Sequence, residues 1–170
     1  MEQDKTYFFT ATILQWQHLL SDDSNKDILI NEWKHRVNLG HLEIYGFVIM
    51  PNHYHVILSV PSPHHPEDII RDIHKWSSRQ LIAKLKSSVD GLQSYTVNAK
   101  DRKYQIWERN SLPIPLYTRP VFMQKLDYIH NNPLQEHWRL AELPENYKYS
   151  SARFYLCNED QWGFITHFSD

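Results

Sequence analysis

At 170 residues, 41% hydrophobic and 14% aromatic, the chain is long and apolar enough to bury a sizeable core, which excludes a disordered polypeptide. A lone cysteine, Cys157, excludes an intramolecular disulfide framework, and a formal net charge of -2 argues against binding nucleic acid by bulk charge alone. The N-terminal MEQDKTYFFTATILQW lacks a basic stretch followed by a long apolar core, and no run reaches the length of a membrane span. A cytoplasmic protein with no membrane partner is therefore expected.

In chain order, Lys5–Trp16 is rich in Tyr, Phe, Thr and Ile and predicts a first strand. Ser21–Asn25 has helix-cap character, and Ile28, Ile30, Trp33 and Val37 follow at near-helical spacing until Gly40. Leu42–Met50 and His53–Val60 predict two strands around a Pro51-Asn52 turn. After a Pro, Ser and His loop, Glu67–Lys86 returns to helical periodicity. Ser87–Asp101 is polar and irregular, Tyr104–Trp107 predicts a short strand, and Leu112–Tyr117 an extended edge or connector. Pro120 opens a helix expected to stop near Asn132, because Pro133 disfavours helical geometry before it. A turn or short helix is expected around Ser150-Ser151. The order β-α-β-β-α-β plus a helix predicts an α+β, ferredoxin-like split βαβ fold, an antiparallel sheet with helices packed on it, as one domain over 1–170.

Chemistry concentrates in IYGFVIMPNHYHVILSV, Ile44–Val60. In a strand alternate side chains share a face, so His53 and His55 point one way, about 7 Å apart, and Tyr54 the other. Two imidazoles on a stiff strand are half of a metal site; by themselves they are more often ordinary histidines on the wet face of a sheet. On the later helix, Tyr128 and Asn132 stand four residues apart and share a face. Asn132 offers a carbonyl oxygen that Mg²⁺ or Mn²⁺ accepts beside imidazole, and Tyr128 a phenol able to attack phosphorus. Alone, such a pair reads as a core tyrosine and a helix stop.

The strings MPNHYHVIL, YIHNNPL and YKYSSARFY, with an IIRDIHKWSS helix between the first two, resemble the IS200-like single-tyrosine transposases of the HUH class, and most closely the branch of REP-associated tyrosine transposases. The resemblance runs from the first strand to about Tyr155. It implies that His53 and His55 bind the metal, that Asn132 is the helical amide ligand, and that Tyr128 becomes linked to a DNA 5′-phosphate. Cofactor and partner follow as a divalent metal, Mg²⁺ or Mn²⁺, and single-stranded or hairpin DNA. Such a protein would be nucleoid-associated when bound and act as a monomer or homodimer. Tyr54 is bulkier than the aliphatic residue usual between the histidines; strand alternation turns it away from the metal.

From Arg71 to Arg109 nine Lys/Arg face four Asp/Glu, a basic middle in an acidic chain. Lys75 and Arg79 share a helix face able to hold phosphates, and Arg102 and Lys103, interleaved with Tyr104 and Trp107, resemble a strand-binding edge. A solvated helix surface explains the charges about as well, and core packing is the commoner use of a Trp. Two rival functions stand beside the transposase: a domesticated DNA-hairpin-binding protein without turnover, and a histidine-based phosphohydrolase acting on small nucleotides.

Overall fold

The computed structural model describes residues 5–89 and 91–169. Four strands, β1 (Thr6–Thr12), β2 (Glu43–Ile49), β3 (His53–Ser59) and β4 (Ile114–Pro115), form one sheet in the order β2-β3-β1-β4. Every neighbouring pair is antiparallel. Among the described residues four α-helices accompany it: α1 (Asp23–Asn38), α2 (Pro66–Lys86), α3 (Arg119–Asn131) and α4 (Ala152–Cys157). This is the expected α+β, ferredoxin-like arrangement. No helix among the described residues is long and apolar enough to cross a membrane.

The sheet separates two apolar layers because alternate residues of each strand leave by opposite faces. Phe9, Ala11, Tyr54, Val56 and Leu58 face α1 and α2, where Leu29, Trp33, Ile69, Ile73 and Leu81 complete the larger core. Phe8, Val48 and Ile57 face α3 and meet Leu126 and Ile129. The register pairs Thr12 with His53 and Thr10 with His55, so both histidines share the α3 side with Phe8. Gly46, beside a bulge in β2, lets α3 approach: a Cβ there would lie 2.5 Å from Leu126 Cδ1.

The outer edge of β2 is closed by the tail. Ile49 N donates to Tyr149 O, Ser151 N to Phe47 O, and Thr166 N to Ile44 O, at 2.8–2.9 Å. Ser151 Oγ accepts from Phe47 N at 2.9 Å and shares a 2.8 Å hydrogen bond with His130 Nε2 of α3. The Ser-Ser motif thus covers an otherwise open strand edge and anchors α3 beside it.

Boundaries differ from the expectations in three places. The first strand ends at Thr12, since Gln15 and Trp16 take left-handed backbone with φ of 54° and 57°. The first helix starts earlier, at Asp23, where Asp22 accepts from Ser24 N at 2.8 Å. Tyr104–Trp107 is not a strand: Tyr104 and Trp107 form only isolated bridges, to Thr96 and Ile13, and the fourth strand is Ile114–Pro115 in the segment read as an edge or connector. The helix α3 ends at Asn131, as expected from Pro133; Asn132 itself keeps helical backbone (φ -57°, ψ -44°) as the chain tightens into a 3₁₀ turn over Asn132–Leu134.

Candidate metal and nucleophile site

His53 and His55 stand on the α3 face of the central strand β3, 8% and 5% exposed. Their ring centroids are 4.7 Å apart, closer than the ~7 Å that strand repeat alone predicts, because the rings lean together. Each ring has a hydrogen-bond partner on Nδ1. His53 Nδ1 donates to Asn52 Oδ1 at 2.6 Å, which leaves its Nε2 with a lone pair. His55 Nδ1 lies 2.7 Å from Thr10 Oγ1, a hydroxyl that can accept and so select the same tautomer.

From α3 come Tyr128 and Asn132, one turn apart. Tyr128 is 43% exposed and sets its ring edge-on to His55, with centroids 5.2 Å apart. Phe8 stacks against His55 at 5.4 Å and meets Tyr128 at 6.3 Å, bracing both. Asn132 is 2% exposed, and its Oδ1 has no hydrogen-bond partner; His55 Nε2 is likewise buried and unpartnered. Such orphaned polar atoms are costly in a protein interior unless something fills the site. All four residues line one cavity of about 350 Å³, walled also by Trp16 and Trp138.

Burial sets the charge state. Desolvation lowers the His53 pKa to about 4 and that of His55 to about 3, with the neighbouring His53 and Lys125 adding to the effect on His55. Asn132 acts in the opposite direction on His53, since its oxygen would accept from a protonated ring. Both imidazoles are therefore neutral near pH 7, as metal ligands must be. Among the described residues no three His, Cys, Asp or Glu side chains gather at metal-binding spacing. A cation here would rest on two imidazole nitrogens and one carboxamide oxygen, with further positions left for water or phosphate.

Three contributors escaped the sequence reading. Thr10 is read only from cross-strand register. Lys125 sits one turn before Tyr128, its Nζ 5.7 Å from that ring and 4.7 Å from Phe8, a spacing visible in the sequence but not distinctive. Trp16, 63% exposed at the cavity mouth, lies in a segment read as strand.

Tyr54 lies on the other sheet face, 1% exposed, with its hydroxyl 2.8 Å from His74 Nε2. Lys75, Arg79 and Arg102 also lie away from the histidines, around a second and larger cleft, and Lys103 rests its Nζ over the Tyr104 ring at 5.4 Å. Trp107 is 4% exposed, covered by a parallel His74 ring and donating to Ser77 Oγ at 3.1 Å. It is a core residue rather than a stacking platform.

No family model matches the chain, and no curated protein does. Among solved structures, a REP-associated tyrosine transposase bound to a REP hairpin aligns with a TM-score of 0.68 and 18% identity, over 99% of this chain and 89% of that one. A protein of Deinococcus radiodurans R1, provisionally named a transposase, aligns with a TM-score of 0.50 and 18% identity, over 77% and 92%. At this identity the likeness is one of fold, and it is the fold of the family that the motifs resemble.

Proposed function

We propose that this chain cleaves and rejoins single-stranded or hairpin DNA through a 5′-phosphotyrosine at Tyr128, with Mg²⁺ or Mn²⁺ held by His53, His55 and Asn132. One observation carries the reading: the buried, unpartnered His55 Nε2 and Asn132 Oδ1 line the same cavity as the half-exposed Tyr128. Similarity of fold to a transposase bound to a DNA hairpin supports it.

A bound cation would supply Lewis-acid polarisation of the scissile phosphate. Tyr128 Oη attacks phosphorus, the P–O3′ bond breaks, the phenol proton passes to solvent, and the departing 3′-oxygen takes up a proton to become a free hydroxyl. Attack by another 3′-hydroxyl reverses these steps and releases the tyrosine, so no external energy source is needed. Phe8 and His55 hold the phenol ring in place, and the Lys125 ammonium stands where it can meet the phosphate charge.

The test is cleavage of end-labelled DNA hairpins with single-stranded flanks, in Mg²⁺, in Mn²⁺ and in chelator. Wild type is expected to cut only with metal, and His53→Ala to lose at least about 100-fold in rate while still binding the hairpin. Binding without any cut would favour a domesticated hairpin-binding protein. Metal-independent hydrolysis of small nucleotides that survives Tyr128→Phe would favour a histidine-based phosphohydrolase.

A further inference from the structure

The larger cleft, about 790 Å³, lies between α2 and residues 101–113, with Phe9 and His74 of the opposite sheet face in its lining. Its apolar floor is presented by the half-buried Ile82 and Pro113 and the exposed Leu112, over the buried Phe9, Ile70 and Ile106, while its rims are cationic. Arg71, Lys75 and Arg79 follow one another at single-turn spacing along α2, and Arg102 and Arg109 face them from the loop. In a chain of net charge -2, the lining carries five cations against three carboxylates. Three are tied up internally: Arg71 pairs with Asp68 and Asp72, and Arg102 and Arg109 both pair with Asp101. Lys75 and Arg79 have no carboxylate partner among the described residues, although like charges one turn apart repel.

We infer that this cleft is a second nucleic-acid site, holding the unpaired strand that flanks the hairpin, with phosphates on Lys75 and Arg79 and bases against the apolar floor. The inference rests on the proposed DNA substrate. An apolar floor between cationic rims matches unpaired bases on a phosphate backbone; a duplex keeps its bases stacked inward and would leave that floor unused. The cleft shares no lining residue with the cavity of His53 and Tyr128, but one hydrogen bond ties their ends together. Glu108, at its end, accepts from Gln15 N at 2.7 Å, and the next residue, Trp16, lines the cavity of His53 and Tyr128. A strand leaving the cleft would pass over Gln15–Trp16 to reach the phenol, with grip and chemistry on opposite faces of the sheet.

The experiment compares wild type, Lys75→Glu/Arg79→Glu, and a control reversal of two exposed lysines outside the cleft, Lys5→Glu/Lys34→Glu. Affinity for a fluorescent hairpin is measured with and without a long single-stranded flank across a salt series, with thermal unfolding as the check on folding. The cleft variant is expected to bind the flanked hairpin at least about tenfold more weakly than the control variant, with a salt slope shallower by roughly two. It should match the control on the blunt hairpin. Indistinguishable affinities for the flanked hairpin would overturn the inference; equal losses on the blunt hairpin would assign the cleft to duplex backbone and overturn the single-strand assignment. The same samples report covalent adducts. Cleft-dependent binding without adducts would sink the proposed chemistry and leave this site standing, whereas adducts with cleft-independent binding would do the reverse. A wild type that binds neither hairpin overturns both.

Discussion

The His55 ring is fixed on three sides: Thr10 at Nδ1, Phe8 stacked on one face, and Tyr128 edge-on at 5.2 Å. As the proposed ligand, its orientation would depend on these neighbours. Thr10→Val keeps the shape but removes the hydroxyl that orients the tautomer. Metal affinity should fall by about 10–100-fold in calorimetric titration with Mn²⁺, while unfolding stays cooperative. An unchanged affinity would mean that the strand alone aims the ring. At this scale the sequence shows the histidines, because His-x-His on a strand has a fixed consequence for facing. It does not show Thr10, since a partner 45 residues away is set by pairing register.

At the scale of elements, α3 carries half of the site, and its position depends on a glycine and a serine outside it. Gly46→Ala would drive a methyl into Leu126, which is 3% exposed and has little room to yield. It should cost about 1–3 kcal/mol in denaturant unfolding and displace Tyr128 and Asn132 from the histidines, lowering metal affinity as well. Ser151→Ala strips the acceptor from Phe47 N on the β2 edge and should cost a similar ~1–3 kcal/mol. If both variants unfold like wild type, α3 is held by something other than these contacts. Periodicity revealed the long helices and the β2–β3 hairpin, where burial patterns repeat over many residues. It misplaced the fourth strand: the aromatic-rich Tyr104–Trp107 has the composition of a strand, yet its backbone meets only single bridging residues, whereas Ile114–Pro115 pairs with Tyr7 and Phe8. Pairing is a property of the partner, and composition cannot supply it.

Across the whole molecule, four histidines are held neutral by burial: His53 and His130 with pKa near 4, His55 and His74 near 3. In the unfolded chain each returns to about 6.5, so below that pH the unfolded state takes up protons that the folded state refuses. Stability is thus complete above about pH 6.5 and falls as pH drops toward the folded values. Its slope approaches about 1.4 kcal/mol per pH unit for each histidine. His74 offers a test on the sheet face opposite His53 and His55, its ring stacked on Trp107 and its Nε2 2.8 Å from the Tyr54 hydroxyl. His74→Phe keeps an aromatic ring there and removes one titrating group, so its urea-unfolding stability should fall less steeply than that of wild type between pH 6 and pH 4. Parallel curves would show that His74 does not contribute to acid lability.

The central claim, that Tyr128 is the nucleophile, is tested most directly by mapping a covalent adduct. The protein is incubated with a flanked DNA hairpin and Mn²⁺, denatured, digested with trypsin and nuclease, and read by mass spectrometry. Cleavage after Lys125 and Arg139 releases a peptide, residues 126–139, in which Tyr128 is the only tyrosine. The account predicts a nucleotide mass on that peptide, at least about a thousandfold less abundant in Tyr128→Phe. Cleaved DNA with no modified peptide, or an adduct that persists in Tyr128→Phe, would contradict it.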